Sequence, residues 1–326
     1  MISDLFSIQG NNTEIKCIDL FAGIGGIRLG FQNAFQNNIS CVFSSEIDKF
    51  AIQTYANNYG EIPSGDITKI DERDIPAHDI IMAGFPCQAF SVAGLRKGFE
   101  DTRGTLFFEV ARIANYHKPQ VLFLENVKGL INHNKGDTFN SIKNVLNEMG
   151  YKIFYQVLNA RDFGVPQNRE RIYIVCFRDN NIDFKFPEPP KIRTTVGSIL
   201  EKEVNPKYTL SDKLWQGHQR RKEEHKNKGN GFGYSLFDES SEYTSTISAR
   251  YYKDGSEILI NQDNNLNPRK ITPREASRLQ GFPDSFKIVV SDVQAYKQFG
   301  NSVSVPVIEA IADNIKKVLL KENYEN

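Results

Sequence analysis

The sequence predicts an α/β fold in which a doubly wound, mostly parallel sheet is joined to a smaller, irregular, β-rich domain. Three observations carry this. Through the first half of the chain short apolar runs alternate with helix-period segments, which is how βαβ units read. A glycine-rich turn, Ala22-Gly23-Ile24-Gly25-Gly26, follows the first apolar run directly. A proline cluster, Phe186-Pro187-Glu188-Pro189-Pro190, then ends the pattern, because proline continues neither a sheet interior nor a helix.

In chain order, the expected strands are Ile15–Phe21, Ser40–Ser44, Asp79–Phe85, Val121–Leu124, Ile153–Leu158 and Arg171–Phe177. Most are continuously apolar, as strands covered on both faces should be. A helix is expected to open at Ile27. Leu106, Phe107, Val110, Ile113 and Ala114 recur at helical spacing, as do Phe139, Ile142, Val145, Leu146 and Met149, with Gly150 as the C-cap. From the proline cluster to about Arg269 the chain is polar and rich in Asn, Gly, Ser and Tyr. Periodicity returns over Pro273–Leu279 and in the stripe Val307, Ile308, Ile311, Ala312, Ile315, Val318 and Leu319, which a final helix must bury against the first domain. The expected division is 1–187 plus 292–326 for the main domain and 188–291 for the small domain and hinge.

Composition removes whole classes. The 326 residues are 40% hydrophobic and 25% charged, with Gly and Pro near average usage, which excludes collagenous and disordered chains. No apolar run approaches the roughly 20 residues of a membrane span, and Met1–Gly10 has no basic stretch ahead of an apolar core. A cytoplasmic protein is expected, with its four cysteines reduced and none at metal-ligand spacing. Forty basic residues balance forty acidic ones, which by itself argues against a polyanionic partner. The distribution reverses that inference: 7 basic against 12 acidic residues in 1–100, 14 against 10 in 101–200, and 19 against 18 in 201–326.

In open α/β sheets, ligands sit beyond the carboxyl ends of the strands. After the expected strands come the glycine turn, Glu46, Pro86-Cys87 and Glu125-Asn126, with Gly65-Asp66-Ile67 between the second and third. The turn lets backbone N–H groups at a helix N-terminus approach an anion, but Arg28 stands where a dinucleotide fingerprint has its third glycine. Glu46, about 20 residues on, occupies the place of a ribose-binding acid. A thiol at Cys87 needs an electropositive setting to attack, and Arg96, Lys97 and Arg103 are near it in sequence. Cys17, Cys41 and Cys176 lie inside apolar strands and read as inert. Glu125 closes an apolar strand, which raises its pKa and lets it donate to a ring nitrogen; pairing with Arg169 or Arg171 is the alternative, and both can hold in different states.

Taken together, Asp19–Gly26, Gly84–Ser91, Glu125-Asn126-Val127, Gln167–Arg171 and Gln294–Val303 stand in the order and spacing of the DNA cytosine-5 methyltransferases. The chain resembles the compact bacterial restriction-modification enzymes over nearly its whole length outside about 188–268. The resemblance implies a Rossmann-like fold using S-adenosyl-L-methionine and methylation of C5 of a flipped cytosine in a specific double-stranded DNA sequence. Cys87 would be the nucleophile, Glu125 the acid at N3, Arg171 the arginine on the cytosine O2, and Arg169 a support for the nucleophile loop. For the cofactor it implies Phe21, Ala22, Gly23, Ile24, Gly25, Gly26, Glu46, Ile47, Asp66, Ile67, Pro86, Leu106, Asn301 and Ser302. Close relatives often have Trp where this chain has Ile47, so aliphatic contact replaces stacking. Gln88–Phe99 looks like the loop that closes over the flipped base, with Gln88, Ser91 and Arg96 contacting DNA; Thr246 and Arg250 belong to the target-recognition region. Tyr251 and Tyr252 reach base edges or merely pack, and Arg220, Arg221, Lys222, Lys226 and Lys228 are a phosphate-contacting patch or a solvated helix face. No metal is implied. The implied partners are double-stranded DNA and a cognate restriction endonuclease acting on the same sequence without a stable complex, the enzyme being a monomer in the bacterial cytoplasm, on the nucleoid.

Four rivals are separable. A hydride-transferring enzyme leaves Cys87, Glu125 and the arginine pair unexplained, and an amino-group methyltransferase wants Asp/Asn-Pro-Pro-aromatic where this chain reads Phe85-Pro86-Cys87-Gln88. A non-catalytic DNA-binding module needs neither thiol nor cofactor cleft. A tRNA-directed member of the same family shares the catalytic motifs.

Overall fold

The computed structural model describes residues 14–86, 106–190, 192–262 and 265–320. Six strands, β1 (Ile15–Leu20), β2 (Ile39–Ser45), β3 (Ile80–Gly84), β4 (Val121–Val127), β5 (Lys152–Asn159) and β6 (Glu170–Phe177), form one sheet in the order β2-β1-β3-β4-β6-β5. The first four are parallel; β6 runs antiparallel to both β4 and β5. This is the mostly parallel, doubly wound sheet expected from the sequence, and the expected strands agree with the observed ones to within a few residues.

Alternation along the strands sends side chains to two cores. Ile80, Met82, Val121 and Phe123 face α1 (Gly26–Phe35) and the long final helix α8 (Val305–Leu319). Ile81, Ala83, Leu122 and Leu124 face α3 (Leu106–His117) and α4 (Asp137–Glu148), on the opposite side of the sheet. Between these, α2 (Lys49–Tyr59) follows β2, capped by Asp48 through its Phe50 and Ala51 N–H groups. The apolar stripe of α8 is buried against α1, as its period requires. The approach is so close that a Cβ on Gly30 would stand 2.6 Å from Ile308.

A third core gathers Val196, Ile199, Ile247, Tyr251, Ile258 and Ile271 with α6 (Pro273–Leu279) and α7 (Asp292–Asn301), and takes in Ile24 and Val305. Helix α7 therefore packs with residues the sequence assigns to the small domain. That region is irregular: its sheet is made of β7 (Leu236–Phe237), β8 (Leu259–Ile260) and β9 (Arg269–Lys270), and its longest element is the helix α5 (Asp212–Asn227). Arg220, Arg221, Lys222 and Lys226 stand exposed on α5. Tyr251 is fully buried, donating to the Ile258 carbonyl at 2.6 Å and accepting from Ile271 N at 2.9 Å, so it packs. One reading needs correction: Cys17 and Cys176 are buried, but Cys41 is half-buried because β2 is an edge strand. Among the described residues no helix is long and apolar enough to cross a membrane.

Candidate active site

The glycine turn is held from below. Gly25 has φ +81°, and a Cβ there would fall 2.2 Å from the ring of Tyr59, whose hydroxyl donates to the Gly25 carbonyl at 2.7 Å. Gly26 opens α1, and its own Cβ would lie 2.7 Å from the Ser302 hydroxyl. Only glycine lets the end of α7 come this close to the start of α1. Arg28 turns away from the turn into a buried polar cluster, donating to Tyr55 at 2.9 Å and Glu61 at 2.5 Å beneath β1 and β2. The departure from the dinucleotide fingerprint is thus structural.

Above the turn lies a cleft of about 490 Å³. It contains Phe21, Ala22, Gly23, Ile24, Gly26, Glu46, Ile47, Asp66, Ile67, Pro86, Leu106, Asn301 and Ser302. Gly25 alone of the sequence-derived cofactor residues is not in its wall; it is turned toward Tyr59. The Glu46 carboxylate accepts from the N–H groups of Gly23, Ile47 and Asp48, each at 2.8 Å, which fixes the acid against the turn. Asp66 accepts from the Thr68 N–H and hydroxyl; these bonds hold its carboxyl below the usual range. Ile47 is 72% exposed, an apolar surface at the cleft rim.

The far end of the same cleft is made by β4 and β6. Glu125 is buried, and burial pushes its carboxyl up while Arg171 and then Arg169 pull it back. The Arg171 Nε lies 3.3 Å from Glu125 Oε1. Asn126 donates to the Phe85 carbonyl at 2.8 Å and accepts from Val127 N, tying the end of β4 to the Phe85-Pro86 turn. Cys87, Gln88, Ser91 and Arg96 lie outside the described residues, but Pro86, immediately before the cysteine, lines the cleft. Arg169 is buried; its two terminal nitrogens donate to three carbonyls, those of Ile247, Gly300 and Ser302, while its Nε has no hydrogen-bond partner among the described residues.

One cleft holding an acid against a glycine turn at one end and a buried Glu–Arg pair at the other is the arrangement the sequence motifs require in common. The profile of the C-5 cytosine-specific DNA methylases matches residues 15–317. The chain belongs to that family. It is a DNA cytosine-5 methyltransferase. A type II methyltransferase of Shigella sonnei, M.SsoII, is 64% identical over 315 residues, covering 95% of this chain and 82% of that protein. M.NlaX of Neisseria lactamica is 64% identical, covering 93% and 97% respectively. Among solved structures, the Schizosaccharomyces pombe Dnmt2 methyltransferase aligns with TM-score 0.77 at 20% identity, over 95% of this chain and 100% of that one. At that identity the likeness speaks for the fold.

Within this cytosine-5 methylase, Thr246 and Arg250 are not part of the cleft wall. The Thr246 hydroxyl donates to the Asn168 carbonyl at 2.5 Å, and Arg250 is exposed. Gln167 works beside them, donating to Leu279 O and Gln280 and accepting from Ile247 N. The Gln167–Arg171 motif therefore fastens the sheet to the 244–247 segment as well as supplying Arg171 to the cleft. Sequence reasoning missed Ser45, Ala51, Gln294, Lys297 and Gln298, all in the cleft wall. The three on α7 stand seven, four and three residues before Asn301, so helical spacing from that one expected residue was the available signal. Among the described residues, no group of three or more His, Cys, Asp or Glu is placed to hold a metal ion.

Proposed function

We propose that this methylase transfers the methyl group of S-adenosyl-L-methionine to C5 of a cytosine flipped out of a specific double-stranded DNA sequence. The observation that carries the reading is the single cleft joining Glu46 and Asp66 at one end to Glu125, Arg171 and Pro86 at the other, so that a nucleoside cofactor and a target base would meet beside Cys87. The fit to the cofactor is supported by chemistry of the wall: carboxylates at one end for ribose hydroxyls and an exocyclic amine, apolar Phe21, Ile47, Ile67 and Leu106 for a ring, and a buried unpaired amide nitrogen on Gln298. When bound, the cofactor supplies an electrophilic sulfonium methyl.

The chain's own residues would do the rest. The Cys87 thiolate adds to cytosine C6, giving C5 enamine character and splitting one difficult step in two. Glu125, kept in surroundings that favour its neutral form, donates to N3 and offsets the charge that develops on the ring. Arg171 holds O2, and Arg169 fixes the end of α7 against residue 247. After C5 is methylated its proton leaves to water or hydroxide, and the Cys87 thiolate is eliminated. Gln88, Ser91, Arg96, Thr246 and Arg250 would contact the DNA around the extruded nucleotide, with residues 188–291 supplying target recognition to a main domain of 1–187 plus 292–326. The enzyme acts as a monomer in the bacterial cytoplasm, protecting DNA against an endonuclease of the same specificity.

Bisulfite sequencing of a plasmid incubated with the enzyme and S-adenosyl-L-methionine tests both activity and target: protected cytosines should fall in one recurring sequence. Cys87→Ala should lower methyl transfer by on the order of a thousandfold or more. Robust turnover by that variant would sink the covalent step, and methylation of tRNA without DNA would select the tRNA-directed reading.

A further inference from the structure

We infer that Cys17 and Cys41 form a redox-modification site, a thiol pair that hydrogen peroxide converts reversibly to a disulfide across β1 and β2, and that closing it weakens the cofactor end of the cleft. The two residues are register partners on adjacent parallel strands. Their side chains therefore leave the same face of the sheet, and both pack against the core beneath α1 and α8. The Cys17 thiol donates to Cys41, and Cys41 Sγ donates in turn to the Phe43 carbonyl at 3.3 Å. Neighbouring strands stand about 4.8 Å apart, inside the range of about 4.4–6.8 Å that Cα atoms span in disulfides. Immediately beyond this rung the register passes to Ile18–Phe43, so that Val42 is an extra residue on β2. A bulge of this kind lets one strand bend locally.

The two thiols differ in the way peroxide chemistry requires. Cys41 is half-buried on the edge strand, whereas Cys17 is only 2% exposed behind it. The hydrogen bond from Cys17, and after it the Arg28 guanidinium, hold the Cys41 thiol below its ordinary value; burial and Glu61 oppose them. Arg28 Nε is itself buried with no hydrogen-bond partner among the described residues, so this cation is not fully spent on Tyr55 and Glu61. Cys17 is pushed up by its hydrogen bond to Cys41 and by burial. Cys41 is thus the attacking thiolate and Cys17 the resolving thiol. The Cys41 sulfur takes one peroxide oxygen as the O–O bond breaks, giving a sulfenic acid and hydroxide. The Cys17 sulfur then attacks Cys41 sulfur; the S–S bond forms, the S–O bond breaks, and the Cys17 proton leaves with the hydroxyl as water. Beyond the rung, β1 runs into the glycine turn and β2 into Glu46. Their ends are tied by Ala22 N donating to the Ser45 carbonyl at 2.9 Å and Gly23 N to Glu46 at 2.8 Å. Disulfide Cβ atoms lie about 3.8 Å apart, so closure draws the strands together by on the order of 1 Å, and Glu46 moves with β2.

The test treats the full chain with hydrogen peroxide and maps its tryptic peptides without reductant by mass spectrometry. Peptides Cys17–Arg28 and Leu29–Lys49 should appear joined, two hydrogens lighter than their sum, and should separate with dithiothreitol. Cys17→Ser should leave Cys41 as a sulfenic acid that dimedone labels, and Cys41→Ser should leave Cys17 unmodified. By calorimetric titration, the oxidised chain should bind S-adenosylhomocysteine about threefold more weakly, with recovery on reduction. Cys41→Ser treated in the same way should show no such reversible loss, which separates this pair from oxidation of Cys87. Free peptides, linkage of Cys41 to Cys87 or to a second copy, or oxidation of the fully buried Cys176 as fast as Cys41 would overturn the site. A joined chain that binds the nucleoside as tightly as the reduced one would overturn its effect on the cleft. That effect rests on the cofactor reading above: reduced enzyme that fails to bind S-adenosylhomocysteine would overturn that reading, while the peptide map would still decide the thiol pair.

Discussion

Glu125 holds two opposed forces in one side chain. Burial favours its neutral form, and Arg171, 3.3 Å away, favours its ion. With its pKa raised, the folded protein binds a proton that the unfolded chain has already lost, so stability falls as pH rises from the ordinary glutamate value, about 4.3, to the raised one. Arg171→Met removes the nearer cation and extends that interval upward. Denaturant titrations at stepped pH should show the variant still losing stability at pH values where the parent has levelled off, and Glu125→Gln in the same background should flatten the slope. A slope that survives the double substitution would assign it to another group. At this scale the sequence was informative wherever a residue closed an apolar strand, which is why Glu125 could be singled out with Arg169 and Arg171 as partners. It was silent on the division of labour between the two arginines, since only the fold decides that Arg171 meets the acid and Arg169 meets carbonyls.

Helix α6 shows how a seven-residue element survives. Thr272 and Glu275 form a reciprocal capping box, Pro273 sits where its missing N–H costs nothing, and Glu275 is fully buried in a bidentate pair with Arg269 at 2.7 and 2.9 Å. Glu275 also accepts from Glu201 N, linking the helix to the segment before α5. Glu275→Ala should cost about 3–5 kcal/mol, because it strands the Arg269 charge in the interior and opens the cap together; Arg269→Met in addition should recover part of it. Thermal or urea unfolding reads both, and a loss under about 1 kcal/mol would show that water reaches the arginine. The bounds of this helix were legible from its period and leading proline. Its buried charge pair was not, because Arg269 belongs to a two-residue strand, too short to leave any alternation in the sequence.

At the scale of the molecule, the legible part is the part built from long periodic elements: the six-stranded sheet, the helices on its faces and the edge where the cleft lies. The small region escaped detailed reading because its strands have two residues each and its order comes from contacts made far apart in sequence. Helix α7 is the meeting point. It offers Asn301 to the cleft, packs Ala295, Tyr296 and Phe299 into the third core, and at Gly300 touches the backbone of residues 248 and 249 so closely that a Cβ would lie 2.3 Å from the Ser248 carbonyl carbon. Backbone cannot rotate aside as a side chain can. Gly300→Ala must therefore move α7 away from the 248–249 segment, disturbing the Gly300 and Ser302 carbonyls that Arg169 holds. The expected cost is about 2–3 kcal/mol, accompanied by weaker S-adenosylhomocysteine binding as Asn301 and Ser302 shift. Gly217→Ala is the control: it lies within α5 with nothing inside 4 Å of its Cβ, and should leave binding unchanged while stabilising by about 0.4–1 kcal/mol. Equal denaturation midpoints and equal nucleoside affinities for the two variants would mean that the small region can yield to α7, and that the third core does not couple that region to the cleft.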